Sequence, residues 1–428
     1  MARRRVVVTG MGVITPVGLS VPEMMANLLA GKSGAGSITR FDARTFPTSF
    51  ACEVKNYQLG QFVPNPERFV HAELNTLFSL GAAKQALDQA NVASLPNRER
   101  IGIYLGCGEG SGNFRCLAVG AGMAADESGR NVNTGTFVKL AREIYQGPVE
   151  AEQEMHSTNA HLADEFNLEG PNYSCLTACA ASAQAIGEAV EIIRYGDADL
   201  MLAGGSHSMI NPFGVTGFNL LTALSTRSES PATASRPFDL TRDGFVLGEG
   251  AGMLVLEEYE HARKRGATIF AEMTGYGTTG DAYRMTDPHP DGLGAAGCMK
   301  MALEDSGLTP RDIGYINAHG TSTPANDEAE TAGIKSVFGD QAYKTPVSST
   351  KSMMGHLIGA GGAVELIVCI EAMRGGVLPP TMNLHTPDPK CDLDYIPNAA
   401  RPKPGIQHVL SNSFGFGGQN ISLIASRV

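Results

Sequence analysis

The chain carries one order of elements twice, and this repetition constrains its fold more than any single motif. Ile101-Gly-Ile-Tyr-Leu-Gly-Cys-Gly108 returns as Ile313-Gly-Tyr-Ile-Asn-Ala-His-Gly320, and Gly81-Ala-Ala returns as Gly294-Ala-Ala. Glu188-Ala-Val-Glu-Ile is echoed by Gly362-Ala-Val-Glu-Leu. Leu247-Gly-Glu-Gly-Ala, followed by Met253 to Leu256, is echoed by Phe414-Gly-Phe-Gly-Gly, followed by Ile421 to Ile424. These matches keep one order along the chain, so they predict two duplicated halves, 1–260 and 261–428, packed as one pseudo-symmetric body. The first half reads as a strand at Val6 to Thr9, a helix around Leu77, Leu80, Ala83 and Leu87, and a strand at Ile101 to Leu105. A helix behind Cys179, a strand at Leu200 to Ala203 and a pair of strands around Phe245 to Leu256 follow. Strands alternating with helices predict an α/β fold with a largely parallel, helix-covered sheet. Ligand sites in such folds lie beyond strand ends, so matching loops of the two halves converge on one cleft. Those loops hold Cys179 in the first half and His319, His356 and Phe414 in the second.

Several function classes are disfavoured. The formal charge of -11 leaves no overall basic surface for nucleic acid. Arg3-Arg4-Arg5 precedes only Val6-Val7-Val8-Thr9, too short for a signal-peptide core, and no run approaches the roughly 18 apolar residues of a membrane span. A cytoplasmic protein without membrane insertion is expected. The eight cysteines contain no CxxC pair and the ten histidines no HExxH, so neither metal nor disulfide framework is expected. Gly10-Met-Gly12 looks like a dinucleotide fingerprint, but its third glycine falls at Thr15. Gly31-Lys32-Ser33 looks like a P-loop end, but its first glycine falls at Ala26.

Cys179 lies in Leu176-Thr-Ala-Cys-Ala-Ala-Ser-Ala183, before a helical pattern of Ser182, Ala185, Ile186, Ala189, Val190 and Ile193 that stops at Gly196. A thiol on the first turn of a buried helix faces backbone N–H groups and the positive end of the helix dipole, which favour the thiolate. His319, in Asn317-Ala-His-Gly-Thr-Ser-Thr-Pro324, sits where an apolar strand opens into a polar loop. His356 closes Ser348-Ser-Thr-Lys351-Ser-Met-Met-Gly-His356 ahead of another apolar helix. Glu365 lies within that apolar run and needs a partner if buried; Lys351 is the cation placed to provide one. Ser411-Asn-Ser-Phe-Gly-Phe-Gly-Gly418 offers backbone N–H groups able to complete an oxyanion hole with the Cys179 amide. One thiol and two imidazoles suit carbon–carbon bond formation between two thioesters. The thiol holds the first acyl group, and two neutral N–H donors stabilise the enolate formed when the second substrate loses CO2.

Together these motifs resemble the elongating type II β-ketoacyl-[acyl-carrier-protein] synthases. Ser235-Arg-Pro-Phe-Asp239 and Arg242-Asp-Gly-Phe-Val-Leu-Gly-Glu-Gly250 are also similar to that family, and the resemblance spans about residues 3–426 as one ketosynthase domain. It implies a thiolase-like fold, two α/β halves layered α-β-α-β-α. It implies decarboxylative Claisen condensation of malonyl carrier protein with an acyl chain, in fatty-acid or related lipid synthesis. By resemblance Cys179 is the acyl-accepting nucleophile, and His319 and His356 are the decarboxylation and enolate-stabilising pair. Lys351 orders the histidine network, Glu365 supports it, and Phe414 gates the acyl site and contributes an oxyanion-hole amide. Thr321 and Thr323 match positions that bond the phosphopantetheine arm, and Phe218 and Phe416 line the substrate site. No cofactor is implied beyond the phosphopantetheine of the acyl carrier protein, and the assembly implied is a homodimer, with a heterodimer as the alternative.

The departures fall where substrates are chosen. Between Cys116 and Asn172 the chain has Glu150-Ala-Glu-Gln-Glu-Met-His-Ser157 in place of the family's aromatic, proline-rich run. That stretch normally helps line the acyl pocket and dimer interface, so its charges are expected to shorten the pocket or serve another partner. Pro66-Glu-Arg-Phe-Val-His71 is poor in Lys and Arg for docking an acidic carrier, and Thr222 stands where many relatives carry Arg. Alternative expectations are therefore a ketosynthase of a specialised polyketide or unusual-lipid pathway, or a non-catalytic partner subunit. Retention of Cys179 opposes the latter.

Overall fold

A computed structural model describes residues 3–108, 110 and 112–428. The first half supplies β1 (Val6–Ile14), β2 (Ile101–Gly106), β3 (Asn172–Cys175), β4 (Leu200–His207) and β5 (Gly250–Glu258). The second supplies β6 (Ala271–Gly280), β7 (Ile313–Asn317), β8 (Val347–Ser348), β9 (His408–Phe414) and β10 (Gln419–Ser426). Their order across the sheet, β3-β2-β4-β5-β1-β6-β10-β9-β7-β8, is a palindrome: each strand of one half has its counterpart at the mirrored place in the other. The two half-sheets are joined by the pairing of Val7 and Val8 of β1 with Glu272 and Ala271 of β6.

Five helices complete the layers: α1 (Leu74–Gln89), α2 (Ala181–Tyr195), α3 (Leu293–Ser306), α4 (Pro324–Phe338) and α5 (Gly361–Gly375). α1 covers the outer face of β1 and β5, and α3, with α4 beside it, covers β6 and β10. α2 and α5 pack on each other between the two half-sheets, giving the expected α-β-α-β-α stack. The middle of α5 is apolar all round, with Leu366, Ile367, Val368, Cys369 and Ile370 fully buried, as a helix segment enclosed on every side must be.

The glycine pair that imitates a dinucleotide fingerprint serves this layering. A side chain at Gly10 or Gly12 would run into the α1 carbonyls of Ala86 or Ala82, at 2.1 and 2.0 Å. In the other half Gly275 and Gly277 stand against the α3 carbonyls of Ala302 and Cys298, at 2.4 and 2.0 Å. Bare backbone in the strand next to the half-sheet junction lets the outer helix sit close in both halves.

Three expectations are corrected. The sheet is mixed, because β5 runs antiparallel to β1 and β4, and β10 runs antiparallel to β6 and β9. A strand buried on both faces, as β5 is along its whole length, carries no sequence mark of its direction. Phe245 to Leu256 holds one strand, β5, preceded by isolated bridges of Phe245 to Leu224, Leu247 to His356 and Gly248 to Cys52. The helical echo is also out of register. α2 opens at Ala181 and α5 at Gly361, which sets Gly362 against Ser182 rather than Glu188.

Between β2 and β3 lie the helices Phe114–Ala124, Thr134–Ile144, Gly147–Ala151 and Met155–Phe166. Phe114, Leu117, Val119, Met123 and Val138 are exposed on the first two. Among the described residues no helix is long and apolar enough to cross a membrane.

Candidate active site

The nucleophile stands on a strained elbow. After β3 the backbone enters the left-handed region at Ala178 (φ 47°), then makes the 3₁₀ turn Ala178–Ala180 that carries Cys179 into α2. Cys179 therefore precedes the α-helix by one tight turn, rather than sitting on its first turn. The same bend recurs before α5, where Ile358 has φ 44° and opens the 3₁₀ turn Ile358–Ala360. Left-handed geometry is unfavourable for alanine and rarer still for a β-branched residue, so packing holds both bends in place. Cys179 is buried in an apolar cluster with Ile210, Val215, Leu224, Phe245, Leu247 and Ile358.

His319 follows β7. Its own N–H and that of Gly320 donate to the two carboxylate oxygens of Glu330 on α4, at 2.9 and 2.8 Å, and Asn412 Nδ2 donates to the same group at 3.1 Å. Burial pushes the Glu330 carboxyl up to about 7, against those three N–H donors, which favour its ionised form. Gly320 has φ 41°, and a side chain there would lie 2.6 Å from Ser349 Cβ, so the loop needs glycine.

His356 is fixed at both backbone and ring. Its N–H donates to Val246 O at 2.7 Å, and its Nδ1 accepts from Ile358 N–H at 3.2 Å. An accepting Nδ1 puts the proton of a neutral imidazole on Nε2, making that atom a donor. The two imidazoles lie 5.3 Å apart, nearly perpendicular, with Phe414 5.6 Å from His319 and Phe245 5.1 Å from His356. Burial is the main force holding both well below the usual histidine range; the Lys351 charge adds to it, then His356 acting on His319 and His207 acting on His356. Both rings are therefore neutral at physiological pH. Lys351 and Glu365, both buried, form an ion pair behind them. Burial raises the Glu365 carboxyl, and Lys351 pulls it back.

A pocket of about 260 Å³ joins these groups: Cys179, His319, His356, Thr321, Thr323, Phe218, Phe414 and Phe416 all line it, together with Phe245. Thr321 and Thr323 share a hydroxyl hydrogen bond of 2.8 Å at its wall. Lys351 and Glu365 do not reach the pocket. The Phe414-Gly415-Phe416 loop lies directly on the elbow: a side chain at Gly415 would come within 2.7 Å of Thr177 O and 3.4 Å of Cys179 N. The backbone amides of Cys179 and this loop thus share one corner. No residue of the 116–172 stretch lines the pocket, and two charges of its acidic run are engaged elsewhere. Glu152 meets His161 at 2.8 Å, and Glu150 holds Gln153 at 2.8 Å. The expectation that they shorten this pocket is not met.

Sequence reasoning missed Glu330, Asn412, Phe245 and His207. Glu330 had one visible signal, a carboxylate three residues beyond Asp327 on the face of α4 that carries Ala329 and Ile334 into the core. Among the described residues no group of three or more His, Cys, Asp or Glu could hold a metal ion.

The model of the beta-ketoacyl synthase N-terminal domain matches residues 3–262, and that of the C-terminal domain residues 270–385. The chain is 44% identical to 3-oxoacyl-[acyl-carrier-protein] synthase 2 of Coxiella burnetii over 100% of both chains. It is 42% identical to the synthase of the same name from Synechocystis, over 99% of this chain and 98% of that one. Among solved structures it is similar to a beta-ketoacyl synthase from Burkholderia phymatum, at 37% identity, TM-score 0.85 and coverage of 99% and 100%. It is also similar to a type II polyketide ketosynthase solved in complex with its acyl carrier protein, at 35% identity, TM-score 0.83 and 100% coverage of both chains.

Proposed function

The chain belongs to the beta-ketoacyl synthase family, and from that premise we propose how its own residues carry out the condensation that makes a β-ketoacyl carrier protein. The enzyme is an acyltransferase. Cys179 sulfur attacks the acyl thioester carbonyl, and the carrier thiol leaves as the acyl-cysteine forms. Malonyl carrier protein then enters, its phosphopantetheine arm held by Thr321 and Thr323. Its C–C bond breaks to release CO2, and the electron pair becomes an enolate whose oxygen accepts from His356 Nε2–H and from His319. The enolate carbon attacks the acyl-cysteine carbonyl. The oxyanion is held by the amides of Cys179 and Phe414, and its collapse expels the cysteine thiolate. Lys351 and Glu365 act through the histidines as positioning residues. Neutral imidazoles are what this assignment needs, because a neutral donor stabilises the enolate without protonating it outright. No cofactor enters beyond the carrier's phosphopantetheine, and the working assembly is a cytoplasmic homodimer.

The observation that carries this reading is the convergence of Cys179, His319 and His356 on one pocket from loops of both halves. Intact-mass measurement after incubation with acyl carrier protein thioesters should show one acyl adduct, absent in Cys179→Ala. Failure of the wild-type chain to form an adduct with any chain length would overturn the assignment. A specialised polyketide or unusual-lipid pathway is the second reading, favoured by the charged run Glu150 to Ser157 between β2 and β3. Comparing turnover with short, long and aromatic primers separates the two, and efficient extension of ordinary saturated chains excludes specialisation. Decarboxylation of malonyl carrier protein by the chain alone would exclude a silent subunit.

A further inference from the structure

Lys32 and Lys55 line a cavity of about 290 Å³ that shares no residue with the active-site pocket. Its floor is the turn 15–19 after β1, and its walls come from the helix Val21–Leu29, from Lys32 and Ser33 beyond that helix, and from Lys55 and Asn56. Lys32 and Ser33 of the run that imitates a P-loop end thus face a cavity after all. Hydrogen bonds hold its frame. Thr15 and Gly18 exchange N–H to O bonds of 3.0 and 3.3 Å, Asn27 Nδ2 donates to Val17 O at 2.7 Å, and Lys32 N–H donates to Asn27 O at 3.0 Å. Glu23 is fixed as well: its carboxylate accepts from Leu19 N–H at 2.8 Å, and its own N–H donates to Ser20 Oγ at 3.4 Å.

The two ammonium groups stand apart from the other cations of this part of the chain. Among the described residues up to 100, every other lysine or arginine meets a carboxylate or, for Arg98, a backbone carbonyl. Lys32 and Lys55 meet neither, and Glu23 is the one carboxylate on the cavity wall. The lining is therefore net positive. Two ammonium point charges with hydroxyl and amide donors beside them suit phosphate oxygens, and a lone carboxylate suits a hydrogen-bond donor on the same ligand.

We propose that this cavity binds a small phosphate monoester, with Lys32 and Lys55 on the phosphate and Glu23 accepting from a hydroxyl or amine of the organic body. The site lies outside the condensing function and does not depend on it. Its volume exceeds the 260 Å³ of the active-site pocket, so a body fits beside the phosphate.

The test titrates the full chain with glycerol 3-phosphate and, separately, with inorganic phosphate by calorimetry. Ionic strength is held constant, because salt screens exposed ammonium groups. The ester should bind one per chain and more tightly than inorganic phosphate. Lys32→Ala and Lys55→Ala should each raise its Kd about tenfold, the loss of one charge-assisted contact. Lys84→Ala, which removes a lysine outside the cavity that pairs with Asp88, should leave Kd unchanged. Glu23→Gln should narrow the preference for the ester over inorganic phosphate. Absence of binding by the ester, an affinity indifferent to both lysine substitutions, or equal affinity for the two anions overturns the proposal.

Discussion

The active cluster has a counterpart in the other half that cannot react, and the pair separates what the duplicated backbone provides from what the side chains add. Cys179, His319 and Phe414 occupy the places that Gly359, Cys107 and His207 occupy across the pseudo-twofold axis. Both elbows bend through the left-handed region, and both open a central helix. Only one ends in a thiol lining a pocket. In the counterpart, burial pushes the Cys107 thiol up to about 12. His207 is enclosed with neither ring nitrogen bonded among the described residues, and burial drives it down to about 4. The fold thus builds the elbow twice; reactivity comes from opening one copy to a pocket and furnishing it with donors from the other half.

The sharpest way to break this comparison is to exchange the importance of its members. His319→Ala and His356→Ala should each lower malonyl decarboxylation by roughly 10²–10³, the usual loss for removing one oxyanion donor. His207→Leu, though equally buried and close enough to His356 to influence it, should leave the rate within about threefold. A His207→Leu variant as impaired as His356→Ala would make the counterpart part of the site.

The elbow of the second half gives the next effect. Ile358 is at once the strained residue, an apolar contact of the Cys179 cluster, and the N–H donor that fixes the His356 tautomer. Ile358→Gly removes the strain, yet the lost packing outweighs it, and unfolding by denaturant should show a net loss of about 2–3 kcal/mol. If the bend also orients His356, decarboxylation should fall further than acyl-adduct formation; equal losses would reduce Ile358 to packing alone.

The buried histidines set a pH window with a definite sign. His207 is depressed from its ordinary 6.5 to about 4 in the folded chain, so below 6.5 the unfolded chain binds the proton first. Stability is fully present above 6.5 and is lost as pH falls towards 4. His207→Leu should recover about 2 kcal/mol of the loss between pH 7 and pH 5. His319 and His356 act in the same direction and remain, so the slope shrinks without vanishing. Glu330, raised to about 7, acts oppositely, its contribution present at low pH and lost as pH rises through 7. An unchanged slope in the variant would show that His207 is not buried neutral.

Reactive groups were readable in the sequence because each histidine stands beside a glycine in a short loop and Cys179 precedes a run of small residues, and the chemistry of one thiol with two imidazoles is narrow. The duplication was readable from the strands and the loops at their ends, with Ile101 to Gly108 returning as Ile313 to Gly320. The helical register was not, since both central helices are runs of small and apolar residues that slide past one another without losing similarity. Glu330 escaped because its partners come from distant positions, His319 eleven residues before it and Asn412 eighty-two after it. Strand direction and the placing of the 113–167 excursion are properties of the assembled layers, which no local pattern encodes.

The first elbow offers the smallest effect and the cleanest contrast with the second. Ala178 carries the same left-handed bend as Ile358 but only a half-buried methyl group, so substitution by glycine costs little packing. Relief of the bend is worth about 1–2 kcal/mol, and the added freedom of glycine in the unfolded chain takes back about 0.5–1. Ala178→Gly should therefore raise stability by about 0.5 kcal/mol, opposite in sign to Ile358→Gly. Acylation of Cys179 should nonetheless slow a few-fold, because the loosened turn no longer holds the thiol against the amides of the Phe414 loop. A variant that is stabilised and acylates at the wild-type rate would show that the bend serves the turn into α2 and not the presentation of the nucleophile. A clear loss of stability would mean that Ala178 does not hold this bend in solution.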